Sequence, residues 1–190
     1  MDLNSVDIRR AQQFQADEGY LKDRVSESLG LLYAMHWPFR QYESARGVRV
    51  SPLHERIDAA GGVFGETAGW ERPNWFANEG QAREYEYSYG KQNWQDNMVA
   101  ECMGVREAVG VFDQTSFAKF VVKGPDALEV LNTISVANID APVGKAIYTQ
   151  WCNRKGGIES DLTVTRTGED AFFVVTAAAA ENRDLSWLKR

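Results

Sequence analysis

The chain has 190 residues, of which 44% are hydrophobic and 25% charged, a globular composition long enough for one domain or parts of two. Its net charge is -6 without a long run of one sign, which argues against nucleic acid as a partner, because phosphate binding needs clustered Lys and Arg. No apolar run approaches the roughly 18 residues of a membrane span, and the first residues lack a signal-peptide core. These features predict a cytoplasmic protein, or one missing its natural beginning.

The first 76 residues are predicted to form a helix and then a loop-rich segment. Between Asp17 and Tyr33, apolar residues recur at helical spacing, at positions 21, 25, 29 and 32. The segment from His36 to Phe76 contains the Gly61-Gly62 pair and three prolines as breakers. Its many aromatic residues predict packing between larger elements, with ligand contact as the alternative. They include Trp37, Phe64, Trp70, Trp75 and Phe76.

The second half of the chain predicts alternating helices and strands. A helix at 96–110 is followed by a strand at 117–122, a helix after Pro125, a hairpin at 148–164, a strand at 171–175 and a helix from 177 onward. The last helical pattern is still running at Arg190, which suggests an incomplete domain. The predicted class is therefore α+β, with a mixed or antiparallel sheet and flanking helices. A helical and loop-rich linker precedes it.

The hairpin contains two carboxylates, Glu159 and Asp161, where a solubilising strand more often has Lys or Thr. A two-residue turn at Lys155-Gly156 would pair Gln150 with Asp161. Because strand side chains alternate between faces, Tyr148 and Asp161 then share one face as diagonal neighbours, about 7–8 Å apart. A three-residue loop would reverse that relationship.

On this register, Ile158, Leu162 and Val164 occupy the opposite, apolar face of the second strand. The face with Tyr148 and Asp161 has two readings. It is either a solvated polar surface or the floor of a site for a flat ligand, where the ring stacks and the carboxylate meets ring nitrogens. Carboxylates in partly buried sites often serve as acid, base or electrostatic partner.

Other candidate residues carry weaker signals. His36 and His54 are far apart and have no ligand cluster nearby, so His36 reads as a packed histidine rather than a catalytic one. No metal site is predicted, since "HERID" departs from the H-E-x-x-H zinc pattern. No dinucleotide, P-loop or nucleophile-elbow motif is present. Cys102 and Cys152 are single and distant, which predicts reduced core thiols.

Several segments resemble the folate-binding aminomethyltransferase domain of the glycine-cleavage T-protein: "GVFDQTSFAKFVVKGPDALEVLN", "VGKAIYTQWCNRKGGIESDLTV" and "FFVVTAAA". The upstream segments "LGLLYAMHWPFRQYESARGVRVSPLHE" and "GGVFGETAGWERPNWF" are similar to the region that joins the flavin and folate parts of dimethylglycine and sarcosine dehydrogenases. The resemblance implies that residues 1–76 are the tail of the FAD-dependent oxidoreductase central region and a linker. Residues 77–190 would then be the amino-terminal, incomplete part of the folate domain.

The resemblance also implies a function. Such enzymes oxidise an N-methyl group of a glycine derivative on FAD, with the flavin site largely outside these residues. Tetrahydrofolate captures the product as 5,10-methylenetetrahydrofolate, or the product is lost as formaldehyde. The cofactors implied are tetrahydrofolate and, in the longer protein, FAD. The location implied is the cytoplasm, or the mitochondrial matrix in a eukaryote.

The family motifs assign roles to two residues and differ at two others. The catalytic Asp of the "GG-x-x-x-D-L" strand matches Asp161, which would hold the folate nitrogens and assist proton transfer. The folate-contacting Tyr of the "G-x-x-x-Y-T" strand matches Tyr148. Many T-proteins have Asp where this chain has Ser160, and Asn where it has Thr176, and both differences fit the dehydrogenase branch better. The alternatives to an enzyme piece are a binding module that docks on a complementary chain, and an inert fragment.

Overall fold

The structure, a computed structural model, describes residues 7–35 and 40–190. The chain divides into two compact units, one formed by residues 7–12 and 117–190 and the other by residues 13–116. Over the described residues, no helix is long and apolar enough to cross a membrane. The elements in chain order are α1 (Glu18–Leu31), α2 (His54–Ala59), β1 (Gly62–Thr67), β2 (Trp70–Phe76), α3 (Gln95–Glu107), β3 (Ala118–Lys123), α4 (Ala127–Ile134), β4 (Ala146–Cys152), β5 (Ile158–Gly168), β6 (Ala171–Thr176) and α5 (Glu181–Leu188).

In the unit of residues 13–116, the prediction of a loop-rich segment holds for residues 40–53 but is wrong for residues 54–76, which contain α2 and an antiparallel β1–β2 hairpin. The strand pattern was hidden by Pro73, which sits opposite Phe64 where the register shifts. Proline is tolerated at such an irregularity because its missing N–H removes no regular ladder bond. The hairpin turns through Ala68 and Gly69, both with positive φ, as a two-residue turn of this hand requires.

Charged groups hold much of this unit together. Arg24 of α1 is buried and donates to Glu66 Oε2 at 2.7 Å and to the Ser44 carbonyl at 2.8 Å. Its guanidinium also lies 4.0 Å from the centre of the Tyr42 ring. Arg46 pairs in the same way with the buried Glu71. Helix α1 is thus attached to the hairpin through a polar contact rather than through its apolar stripe.

The predicted helices at 17–33 and 96–110 are confirmed as α1 and α3, but their apolar stripes are exposed. The buried residues of α1 are Arg24 and Leu31, and the buried residue of α3 is Asn97. Helical periodicity therefore gave the right secondary structure without giving the buried face. The aromatic side chains of the hairpin pack within this unit, and Trp75 is 1% exposed.

In the other unit, four antiparallel strands form a sheet in the order β3-β6-β5-β4. Helices α4 and α5 pack on one face around a core that contains Leu131, Trp151 and Phe172, each fully buried. The buried face predicted for α4 is confirmed, with Leu128 and Ile134 packed against this core. Helix α5 also contacts the chain near its start, where Asn182 Nδ2 donates to the Ala11 carbonyl at 2.6 Å. The predicted α+β class, with an antiparallel sheet and flanking helices, is confirmed.

The second face of this sheet is the open face. It is formed by alternate residues of all four strands, which point away from α4 and α5. The core-facing neighbours, such as Leu162, Val164, Phe172 and Val174, are at most 3% exposed. On the open face, Val121 is 61% exposed and Tyr148 62% exposed. The open-face residues are Lys119, Val121, Lys123, Ala146, Tyr148, Gln150, Asp161, Thr163, Thr165, Phe173 and Val175.

Candidate functional site

The β4–β5 connection is a three-residue loop, and the predicted two-residue turn is wrong. Asn153 and Gly157 close the loop, because the Asn153 N–H donates to the Gly157 carbonyl at 2.9 Å. The Asn153 side-chain oxygen accepts from the N–H groups of Lys155 at 2.9 Å and Gly157 at 3.1 Å. Gly156 has φ 76, the left-handed conformation that this loop type requires and that glycine adopts at least cost.

A β-bulge directly after the loop compensates for the extra loop residue. Trp151 pairs with Ser160, whereas Cys152 pairs with Ile158, so that Glu159 is the additional residue on β5. The two irregularities cancel, and Gln150 pairs with Asp161 as predicted. Tyr148 correspondingly pairs with Thr163. The predicted pairing between β4 and β5 is therefore right, although the loop that joins the two strands differs from the predicted turn.

The bulge also changes the face to which Ile158 belongs. The sequence predicted it on the apolar face with Leu162 and Val164, but it is 68% exposed. Ser160 takes the core-facing place instead and is 2% exposed. Glu159 is half-buried and accepts from Asn153 Nδ2 at 2.9 Å, so its side chain links the bulge to the loop.

Tyr148 and Asp161 lie together on the open face. The Tyr148 hydroxyl donates to Asp161 Oδ2 at 2.5 Å, which confirms that the two side chains share one face. This hydrogen bond to Asp161 is the main reason why the pKa of Tyr148 is raised above its ordinary value of 10.0, since it stabilises the protonated phenol. Both residues are exposed, so an aromatic ring and a carboxylate are accessible from the same side of the sheet.

A second carboxylate lies on the opposite, core side of the sheet and was missed in the sequence. Asp184 of α5 is 0% exposed, and its Oδ2 accepts from Ser160 at 2.6 Å and from Thr176 at 2.5 Å. Its Oδ1 accepts from Arg183 Nε at 3.0 Å and Nη2 at 2.9 Å. We call these four residues the Asp184 cluster.

The Asp184 cluster explains the two positions at which the sequence differs from many T-proteins. Ser160 on β5 and Thr176 on β6 both donate to the same carboxylate oxygen of α5. A buried carboxylate needs hydrogen-bond donors, and hydroxyl groups supply them where an Asp at position 160 would add a second negative charge. Ser160 directly precedes Asp161, so the cluster also anchors the segment of β5 that carries the open-face carboxylate.

The remaining candidates from the sequence lie away from this face. His36 is outside the described residues. His54 begins α2, and its ring centre lies 4.4 Å from that of Phe64, with the two ring planes tilted by 40°. Both cysteines are free thiols. Cys102 is exposed and Cys152 half-buried, so the prediction of core thiols is wrong for Cys102, which lies on the outer surface of α3.

The open-face arrangement suits a flat, nitrogen-containing ligand. An exposed phenol ring offers a stacking surface, and the carboxylate beside it can accept N–H groups. Tyr148 occupies Oδ2 of Asp161 with one hydrogen bond, while an ionised carboxylate has about four acceptor positions. The arrangement can therefore orient a heterocycle and hold a proton next to it.

Comparison with known proteins identifies two family models along the chain. Residues 53–190 match the model described as the GCVT N-terminal domain, and residues 1–51 match that of the FAD dependent oxidoreductase central domain. The division predicted from the sequence, between residues 76 and 77, stays a prediction.

Three curated relatives align with most of the chain. It is 47% identical over 189 residues to 4-methylaminobutanoate oxidase (formaldehyde-forming) of Paenarthrobacter nicotinovorans, covering 100% of this chain and 23% of that protein. It is 32% identical to the mitochondrial pyruvate dehydrogenase phosphatase regulatory subunit of Mus musculus, covering 97% and 22%. It is 34% identical to the mitochondrial sarcosine dehydrogenase of Homo sapiens, covering 87% and 21%. The chain thus spans less than a quarter of the length of each of these relatives.

A solved structure supports the same relationship. The crystal structure of glycine cleavage system aminomethyltransferase T from Bartonella henselae superposes with a TM-score of 0.60 and 26% sequence identity. The match covers 75% of this chain and 35% of that one. Together with the family models, it confirms the resemblance inferred from the sequence motifs.

Proposed function

The chain belongs to the GCVT N-terminal domain family, and on that premise we propose that the open face around Tyr148 and Asp161 binds a reduced folate. In the longer protein, this face would receive the one-carbon unit that an FAD-dependent oxidation removes from an N-methylated glycine derivative. The match of residues 1–51 to an oxidoreductase central domain and the names of two relatives support the oxidative half of the proposal. The cytoplasm or the mitochondrial matrix remains the predicted location.

The observation that carries the proposal is the hydrogen-bonded pair itself. Tyr148 Oη and Asp161 Oδ2 are 2.5 Å apart on an exposed surface. A purely solvated face would not need to hold a carboxylate against a phenol ring. The pair therefore resembles a prepared surface on which the pterin ring stacks while its N–H groups meet the carboxylate.

The residues present fit a tetrahydrofolate. When bound, tetrahydrofolate supplies two amine nitrogens that together take up a one-carbon unit. Asp161 accepts an N–H from the ligand at the oxygen that Tyr148 leaves available, and this fixes the orientation of the ring. It can then take the proton that the nitrogen releases, as a general base within hydrogen-bond reach. Tyr148 donates its hydroxyl to the same carboxylate and holds it in place, and this hydrogen bond raises the pKa of the phenol.

The test uses a protein that contains both the flavin region and the folate domain. Replacing Asp161 by Asn removes the acceptor for a proton while keeping a similar shape, so we expect loss of 5,10-methylenetetrahydrofolate formation and release of formaldehyde instead. Flavin reduction by dimethylglycine or sarcosine should be unchanged. The two products are measured in the same reaction.

Glu169→Gln, which removes a charge from an exposed turn of the same unit, serves as the control and should keep normal methylene capture. Equal loss of flavin reduction and methylene capture in Asp161→Asn would contradict the assigned role. So would full retention of both activities.

A second candidate function is a non-catalytic regulatory module. The relative of Mus musculus is named as a regulatory subunit of a phosphatase and is 32% identical to this chain. In that case, the same fold would serve to dock on another protein. The proposed enzyme function requires reduced folate to bind at Tyr148 and Asp161, whereas a docking module does not. Folate binding therefore separates the two candidates.

A further inference from the structure

The part of β5 that carries Asp161 extends beyond the end of its neighbour β6. Strand β6 ends at Thr176, which pairs with Leu162, so Ser160 and Asp161 lie past that end and pair with β4. The β-bulge at Glu159 disrupts the ladder with β4 directly before them. A pair of strands is only marginally stable in water by itself. The position of Asp161 therefore depends on support from outside the two strands.

Asp184 of α5 supplies this support at the place where β6 stops. Its Oδ2 accepts from Ser160 at 2.6 Å and from Thr176 at 2.5 Å, so the carboxylate joins the projecting end of β5 to the last residue of β6. Its Oδ1 accepts from the Arg183 guanidinium, which fixes the direction of the carboxylate. Because the Ser160 side chain is held on the core side, the side chain of its neighbour Asp161 points to the open face.

We propose that Asp184, acting through Ser160, is a positioning residue that holds Asp161 against Tyr148 on the open face. The consequence for catalysis rests on the proposed function, whereas the positioning itself does not. Asp184 is 0% exposed on the core side of the sheet, so it acts on the exposed pair through the β5 backbone rather than by contact. A displacement of about 1 Å at a reacting group can slow a reaction about 100-fold. Asp184 would thus support the reaction without touching the ligand.

The competing explanation is that the Asp184 cluster only stabilises the fold of its unit. Ser160 and Thr176 allow the two explanations to be separated. Each is 2% exposed and donates one hydroxyl to the same oxygen of Asp184, so removal of either hydroxyl should cost similar stability. Ser160 directly precedes Asp161 on β5, whereas Thr176 lies on β6. A purely stabilising cluster predicts equal effects of the two hydroxyls on the exposed pair, and a positioning cluster predicts an effect of the Ser160 hydroxyl.

The first experiment compares Ser160→Ala with Thr176→Val in the 190-residue chain. Its readout is the titration of Tyr148, followed as the ultraviolet difference between each variant and the same variant with Tyr148→Phe. The hydrogen bond to Asp161 raises the pKa of Tyr148 above its ordinary value of 10.0, so displacement of Asp161 should let that pKa fall. We expect this fall in Ser160→Ala and the wild-type pKa in Thr176→Val. The urea midpoints of the two variants should be lowered by similar amounts.

The second experiment uses the protein that contains both the flavin region and the folate domain. We expect Ser160→Ala to slow formation of 5,10-methylenetetrahydrofolate about 10- to 100-fold, because Asp161 is displaced from its ligand. Flavin reduction should be unchanged in this variant. Thr176→Val is the matched control and should keep both activities.

The possible failures of the inference and of the proposed function are distinguishable. A wild-type titration of Tyr148 in Ser160→Ala would overturn the inference, and so would an equal fall of the Tyr148 pKa in Thr176→Val. Normal methylene capture in Ser160→Ala would overturn the consequence for catalysis. All three results leave the proposed function intact. Methylene capture that survives Asp161→Asn would instead overturn the proposed function itself.

Discussion

Asp161 and Asp184 are two carboxylates on opposite faces of one sheet, and they are used in different ways. Asp184 is completely buried and has hydrogen bonds from Ser160, Thr176 and Arg183. Asp161 is exposed and accepts a hydrogen bond from Tyr148. The first carboxylate has its acceptor positions filled by the fold, while the second keeps some of them available. The difference shows that surroundings, rather than residue type, separate a structural acid from a candidate catalytic one.

The largest expected effect comes from removing the buried carboxylate. Asp184→Ala removes the buried carboxylate that accepts from the Arg183 guanidinium and from two hydroxyls, so we expect a loss of about 3–5 kcal/mol in the free energy of unfolding. Asp161→Ala should change that free energy by no more than about 0.5 kcal/mol, as for other exposed positions. Urea unfolding combined with hydrogen exchange of the β5 and β6 amides measures both. Similar losses of unfolding free energy in the two variants would contradict the distinction between a structural Asp184 and an exposed, available Asp161.

A smaller effect concerns the titration of Tyr148. Because its hydrogen bond to Asp161 raises the pKa of the phenol, Tyr148 should ionise above the ordinary value of 10.0, and its bond to Asp161 should break as the pH rises through that raised pKa. Asp161→Asn removes the negative acceptor and should return the pKa toward its ordinary value. The measurement is the ultraviolet difference titration between each protein and its Tyr148→Phe counterpart. A titration of Tyr148 that does not respond to Asp161→Asn would show that the two side chains are not in contact in solution.

The sequence predicted the open-face pair because two independent signals agreed. Alternation of side chains placed Tyr148 and Asp161 on one face, and the family motifs matched the same two residues. The predicted register is right although the predicted turn is wrong, because the extra loop residue and the extra β5 residue at Glu159 offset each other. Neither irregularity has a periodic signal in the sequence. Because the bulge was not predicted, Ile158 was assigned to the apolar face, whereas its side chain is exposed.

The Asp184 cluster could not be predicted because its members come from β5, β6 and α5. Ser160 and Thr176 appeared in the sequence only as differences from a family pattern, and Asp184 appeared as an ordinary polar residue of a helix. Their common partner exists only after tertiary packing. The hairpin at 62–76 was missed for a different reason, since its glycines and Pro73 read as loop signals in the absence of the partner strand.

The most direct test of the central claim is to locate a bound reduced folate on the chain. Two-dimensional ¹H–¹⁵N NMR spectra recorded during a titration with 5-formyltetrahydrofolate would report which backbone amides change. Our account predicts that the shifts concentrate on β4 around Tyr148 and on β5 from Asp161 to Thr165, and that Asp161→Asn reduces them. Shifts confined to other elements, such as α1 or α3, or no shifts at saturating ligand, would contradict it.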